Sequence, residues 1–156
     1  DGSTDPEDMK DPYYQSTTSI TTADGKYYDA SKVNYVVVAK GSTELLGCLA
    51  TIYDHQTGMT IACVAADSGP RSDDWNEVSV CAARSLGYEV SGNYGVGTDK
   101  RFTITYFPDC KLTLYANGHG DINSQINAQA TAYKSSQGGS DYNPNFDADN
   151  ESGRVD

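Results

Sequence analysis

The chain of 156 residues lacks any long apolar run of the kind that crosses a membrane. A spanning helix needs about 20 consecutive apolar residues, so the sequence predicts no transmembrane segment. Basic residues are also scarce, with 11 Lys and Arg against 22 Asp and Glu and a formal net charge of −11. Because nucleic-acid binding depends on clustered Lys and Arg, nucleic acid is not an expected partner. The acidity either keeps the protein soluble or attracts a cationic partner.

Metal-binding patterns are missing as well. No Cys-x-x-Cys motif occurs, which disfavours zinc ribbons and thioredoxin-like chemistry. His55 and His119 are isolated in the sequence, so we predict neither a metal site nor a cofactor. In the acidic tail, the alternating Asp147, Asp149 and Glu151 lack the glycine of a calcium loop, which favours a solvated tail over a calcium site.

Four cysteines are present, and an even number in a small chain is typical of an oxidising compartment. The sequence therefore predicts a secreted protein. We expect disulfides between Cys48 and Cys63 and between Cys81 and Cys110, with four buried free thiols as the alternative.

The composition favours strands and turns, with twelve Tyr, 15 Gly and many Thr and Val. We expect a mainly β domain over residues 19–135, preceded by a polar arm (1–18) and followed by an acidic Gly- and Asn-rich tail (136–156). Alternating or continuous apolar patterns predict strands at 34–40, 44–54, 59–67, 101–107 and 111–116. Apolar residues at helical spacing predict helices at 76–87 and within 117–135.

Two carboxylates flank a sharp break in the stretch ADSGPRSDDWNEVSV. Asp67 ends an apolar strand, and Glu77 follows the Gly-Pro turn at the expected start of a helix. Glycoside hydrolysis uses such a pair, one group as acid and one as base. The apolar residues before Asp67 favour an acid there, and the helix N-terminus favours an ionised base at Glu77. The alternative is structural, with Asp67 capping backbone amides and Glu77 complementing the helix dipole.

Candidate substrate contacts lie between and beyond these carboxylates. Trp75 either stacks on a sugar ring or anchors the core. Asp73, Asp74 and Asp99 either hold a cationic substrate or face water.

Residues 29–87 resemble the core of glycoside hydrolase family 75, the fungal and bacterial endo-chitosanases. The matching pieces are Asp29-Ala30, Tyr35-Val36-Val37-Val38, Asp67-Ser68-Gly69-Pro70 and Glu77-Val78-Ser79-Val80, and RFTITYF fits a later strand. Ala66 and Asn76 stand where that family usually has glycine before each carboxylate.

The resemblance implies a small six-stranded double-psi-like β-barrel with one or two short helices. It also implies that Asp67 and Glu77 are the catalytic pair of an inverting enzyme that cleaves β-1,4 linkages in chitosan or a related amino-sugar polymer. Such a cationic polysaccharide would be attracted by the acidic chain. The alternative is a non-catalytic module with the same barrel, either a glycan binder or a structural subunit that self-assembles through its terminal arms.

Overall fold

A computed structural model describes residues 17–72, 77–89 and 102–137, which form one sheet and two helices. The mainly β prediction is confirmed, but the described residues form an open four-stranded mixed sheet rather than a closed six-stranded barrel. Neither of the two described helices is long and apolar enough to cross a bilayer.

The strands and helices in chain order are β1 (Tyr35–Val38), β2 (Cys48–Asp54), β3 (Thr60–Ser68), α1 (Val80–Ser85), β4 (Phe102–Lys111) and α2 (Ile122–Ser136).

The strands lie in the order β1-β3-β2-β4. β2 and β3 form an antiparallel hairpin whose turn confirms the signal in His-Gln-Thr-Gly. Gly58 adopts a φ of +77° there, and its amide donates to the Asp54 carbonyl at 2.7 Å. β4 pairs antiparallel with β2, and β1 pairs parallel with β3. Because β1 and β3 are parallel neighbours, both end at the same edge of the sheet.

Each face of the sheet carries its own apolar cluster, so the near-continuous apolar sequences of β2 and β3 are explained by burial on both sides. The α1 face is formed by buried residues that include Val36, Val38, Ala50, Ile52, Ala65, Ala82, Leu86, Phe102 and Ile104. The α2 face is formed by buried residues that include Tyr28, Val33, Val37, Leu49, Val64, Ala66, Leu114 and Ile126.

The helix predicted within residues 117–135 is confirmed as α2. Ile126 is fully buried, and Ile122, Ala130 and Tyr133 pack beside it, as the helical spacing predicted. Asp121 caps the helix by accepting the Ser124 amide at 3.1 Å.

The strand predicted at 111–116 is wrong after its first residue, because β4 runs on to Lys111 and ends there. The following backbone is paired by side chains of α2 instead of by a strand. Gln129 bonds both the amide and the carbonyl of Thr113, and Gln125 does the same for Tyr115. These amide side chains satisfy the backbone groups that a neighbouring strand would otherwise pair. Similarly, the strand predicted from residue 44 begins only at Cys48, after a 3-10 turn at Thr43–Leu45.

The first helix also begins later than predicted. Ser79 is its N-cap, and the Ser79 hydroxyl accepts the Ala82 amide at 3.1 Å. The preceding Val78 instead pairs with Val36 in an isolated antiparallel bridge. Glu77 therefore lies in an extended segment beside β1, and the predicted placement of Glu77 at a helix N-terminus is wrong.

All four cysteines are free thiols in the structure, so neither expected disulfide is formed. Cys48 and Cys63 lie on neighbouring strands, but it is Ala50 that pairs with Cys63. This diagonal offset separates same-face side chains by about 7–8 Å, whereas disulfide Cβ atoms lie about 3.5–4.5 Å apart. Burial raises the pKa of the Cys63 and Cys48 thiols, which keeps both protonated and unreactive.

Residues 18–28 form a small loop that Asp24 connects to the segment after β4. One carboxylate oxygen accepts the Thr22 hydroxyl at 2.6 Å and the Ala116 amide at 2.8 Å. The other oxygen accepts the Asn117 amide at 3.0 Å. The Thr22 hydroxyl and the Ala116 amide hold the pKa of the Asp24 carboxyl well below its usual range. Asp24 thus ties the N-terminal loop, which includes Ser19, to the segment that follows β4.

Replacing Ser79 by Ala should destabilise the fold by about 2 kcal/mol, the cost of leaving buried backbone groups unpaired. Ser79 is 3% exposed, and its hydroxyl donates to the Val33 carbonyl and accepts the amides of Tyr35 and Ala82. Urea unfolding measures the change. Ser136→Ala is the control, because that hydroxyl is exposed and bonds only within its own helix end. Equal losses in both variants would contradict the proposed role of Ser79.

The Asp24 carboxylate should make the fold sensitive to acid. Because folding lowers the pKa of Asp24, its stabilisation is present above about pH 4, the usual value in an unfolded chain, and is lost as the pH falls further. We therefore expect wild type to melt at a higher temperature than Asp24→Asn at neutral pH, with the difference shrinking below about pH 4. The exposed Asp109→Asn provides the same change in net charge as a control. A difference in Tm between wild type and Asp24→Asn that stays constant with pH would refute this.

Candidate functional site

Asp67 is placed by an irregularity in the pairing of β1 with β3. Val36 pairs with Ala65, but Val37 pairs with Asp67, so Ala66 is an extra residue on β3. Because of this extra residue, Asp67 lies beside Val37 and is directed to the α2 face, where it is half-buried. In a regular strand, Asp67 would be directed to the α1 face instead.

One oxygen of the Asp67 carboxylate is held by three donors. Oδ1 accepts the Ser19 amide at 2.9 Å, the Ser19 hydroxyl at 2.7 Å and the Ser68 amide at 3.0 Å. Within the described ranges, no hydrogen bond reaches the other oxygen, Oδ2. The carboxylate is therefore fixed in orientation through Oδ1. Ser19 gave no signal in the sequence, because its role depends on a contact 48 residues away.

Glu77 is placed on the other side of β1. Its backbone carbonyl accepts the Val37 amide at 2.9 Å, and the Ser79 amide donates to the Tyr35 carbonyl at 2.9 Å. These two bonds flank the bridge between Val36 and Val78, so Glu77 lies opposite Val37. Val78 packs on the α1 face with Val36, and alternation along the chain directs the exposed Glu77 to the α2 face.

Asp67, Val37 and Glu77 thus form one row across three neighbouring backbones, which we call the carboxylate row. Neighbouring strands lie about 4.8 Å apart, so the two acidic Cα atoms are separated by about 10 Å. Both side chains leave the same face and flank a valine. A carboxyl separation of about 6.5–9.5 Å, the range of inverting glycosidases, is within reach of this arrangement.

An open cleft of about 750 Å³ lies at the edge where β1 and β3 end. Lys40 and Arg71 both line it, together with Gly41, Pro70 and Ser72. The Lys40 amide donates to the Arg71 carbonyl at 2.9 Å, which holds the two loops side by side. We call these five residues the basic cleft. Sequence reasoning missed it, because Lys40 and Arg71 are 31 positions apart and meet only through the parallel pairing of β1 and β3.

The predicted substrate contacts Asp73, Asp74, Trp75 and Asp99 lie outside the described residues, so their roles stay predictions. The same holds for residues 1–16 of the expected arm and residues 138–156 of the expected tail.

The negative charge is distributed unevenly along the chain. Residues 17–72, 77–89 and 102–137 contain nine acidic and seven basic side chains, whereas the remaining parts contain thirteen acidic and four basic ones. The sheet and its helices are therefore close to neutral. Most of the formal charge of −11 therefore comes from residues outside these ranges, among them Asp73 and Asp74, which lie between Asp67 and Glu77 in the sequence.

Both histidines have partners in the structure. His55 Nε2 lies 2.6 Å from the Thr103 hydroxyl, and the His119 ring stacks on Tyr115 with centroids 4.0 Å apart. Across the described part of the chain, no three His, Cys, Asp or Glu side chains are grouped so that they could hold a metal ion.

Comparison with known proteins finds no matching family model and no matching curated protein.

Proposed function

We propose that the protein is a secreted glycoside hydrolase that cleaves β-1,4 linkages in an amino-sugar polymer, with Asp67 and Glu77 as its catalytic pair. The observation that supports the proposal is the carboxylate row, in which both groups leave one face of the sheet on either side of Val37. The Cα separation of about 10 Å that strand spacing gives is compatible with the carboxyl separation of an inverting enzyme, in which a water molecule must fit between one carboxylate and the sugar.

The hydrogen bonds of Asp67 support one assignment of the two roles. An ionised carboxylate only accepts hydrogen bonds, and three donors converge on Asp67 Oδ1. Asp67 therefore acts as the base that removes a proton from the attacking water through Oδ2. Glu77, exposed on the far side of Val37, then protonates the oxygen of the leaving sugar. This reverses the roles expected from the sequence, because Glu77 is not at a helix N-terminus.

The resemblance to family 75 and its six-stranded double-psi barrel belong to the same proposal. The described residues form an open sheet of four strands. The positions of the three family motifs on that sheet support the resemblance. The Asp-Ser-Gly-Pro motif ends β3, the Tyr-Val-Val-Val motif forms β1, and the Glu-Val-Ser-Val motif runs beside β1. All three motifs therefore meet at the carboxylate row.

Replacing Glu77 by Gln or Asp67 by Asn should lower the rate of cleavage by about 10²- to 10⁴-fold, the usual contribution of a general acid or base. The measurement is the release of reducing ends from chitosan, chitin and peptidoglycan. Glu77→Gln should leave the stability within about 0.5 kcal/mol of wild type, because the side chain is exposed.

Glu89→Gln is the matched control, since Glu89 is exposed and lies beyond α1. Cleavage by Glu77→Gln at the wild-type rate would exclude Glu77 as the acid. If wild type binds one of the polymers without releasing reducing ends, the protein is instead a glycan-binding module.

A further inference from the structure

We propose that Asn117 is a site of spontaneous deamidation, at which its side-chain amide becomes a carboxylate through a cyclic imide formed with the Gly118 backbone. Asn117-Gly118 is the single Asn-Gly pair in the chain. Glycine has no Cβ to hinder the approach of its nitrogen to the preceding side chain. The pair lies in the loop between β4 and α2, and its chemistry is independent of the proposed hydrolysis.

The reaction needs only solvent water and a solvent base. The Gly118 nitrogen loses its proton and attacks the Asn117 Cγ atom, and the side-chain nitrogen takes up a proton and leaves as ammonia. Water then opens the cyclic imide at either of its two carbonyl carbons. The product at position 117 is an aspartate or an isoaspartate, the latter with the main chain running through the former side chain.

The structure leaves both reacting groups of Asn117-Gly118 available. The Gly118 amide donates no hydrogen bond within the described ranges. Gly118 adopts a φ of +81°, and no atom lies within 4 Å of the position that a Cβ would take there. Asn117 is exposed, and its side-chain nitrogen makes a long hydrogen bond of 3.5 Å to Asp24 Oδ2. The side chain can therefore turn towards the Gly118 nitrogen at little cost.

Two chemically similar pairs are protected by their hydrogen bonds. In Asp24-Gly25, the Gly25 amide donates to the Thr22 carbonyl at 2.9 Å. In Asn123-Ser124, the Ser124 amide donates to Asp121 Oδ2 at 3.1 Å, and the Asn123 side-chain oxygen accepts the Asn34 amide at 2.8 Å. Attack in either pair requires these bonds to break first, which costs free energy that Asn117-Gly118 does not have to supply.

His119 activates the Gly118 nitrogen. The His119 Nδ1 atom lies 3.1 Å from the Asn117 carbonyl oxygen. Because a carbonyl oxygen only accepts hydrogen bonds, Nδ1 carries the proton and donates it. Stacking of the ring on Tyr115, with centroids 4.0 Å apart, holds this orientation. The hydrogen bond draws electron density from the peptide bond to Gly118 and makes the Gly118 N–H more acidic.

The new negative charge arises next to Asp24. In the aspartate product, an oxygen takes the place of Asn117 Nδ2, which lies 3.5 Å from Asp24 Oδ2. Two carboxylates at this distance repel each other, which weakens the hydrogen bonds from the Ala116 and Asn117 amides to Asp24. Deamidation therefore loosens the N-terminal loop, whose Ser19 holds the Asp67 carboxylate.

Mass spectrometry of the full chain, incubated in mildly alkaline buffer and then digested, tests the site. The peptide that contains Asn117 should gain the mass that replacement of NH by O produces, and it should separate into aspartate and isoaspartate forms. Asn127, exposed on α2, is the control within the same chain and should stay unmodified. His119→Phe keeps an aromatic ring but removes the donor, so it should slow the conversion about 2- to 10-fold, the equivalent of one hydrogen bond.

Thermal melting tests the consequence for the fold. Asn117→Asp introduces the carboxylate without the reaction and should melt at a lower temperature than wild type at neutral pH. Asn127→Asp adds the same charge far from Asp24 and should not reproduce that loss. An Asn117 that stays unmodified, or that converts at the same rate as Asn127, would overturn the site. An unchanged rate in His119→Phe would exclude the activation, and equal melting of wild type and Asn117→Asp would exclude the effect on Asp24.

Discussion

The pairing of β1 on both of its edges is the constraint on which the site depends. On one edge, β3 brings Asp67 level with Val37, and on the other, the extended segment before α1 brings Glu77 level with the same residue. Two carboxylates ten positions apart in the chain are thereby fixed on one face of a sheet. Strand spacing then sets the separation of their Cα atoms, with no need for a flexible loop to position either backbone.

The elements of the fold were largely readable from the sequence, whereas their register was not. Apolar patterns predicted the four observed strands, and the spacing of Ile122, Ile126, Ala130 and Tyr133 predicted α2. The extra residue Ala66 on β3 has no local signature, because a bulge depends on both strands. The late start of α1 has the same origin, since the pairing of Val78 with Val36 overrides a helical pattern that begins earlier.

The same distinction holds for the candidate site, where some residues could be identified from the sequence and others could not. Asp67 and Glu77 could be singled out from the sequence, because each flanks a sharp turn and suits acid–base chemistry. Ser19, Lys40 and Arg71 could not, because their contacts join segments that are distant in the chain. The net charge of −11 predicted a cationic polymer, and most of that acidic excess belongs to residues outside the described ranges.

The proposed catalytic roles of Asp67 and Glu77, on either side of Val37, predict the stereochemistry of the reaction. A pair with room for water inverts the anomeric centre, whereas a pair about 5–5.5 Å apart retains it. Proton NMR of the first sugar ends released, recorded before they equilibrate in water, distinguishes the two. If the protein cleaves a β-linked polymer as we propose, the first ends released should be α-configured. Initial release of β-configured ends would contradict the placement of the two carboxylates described here.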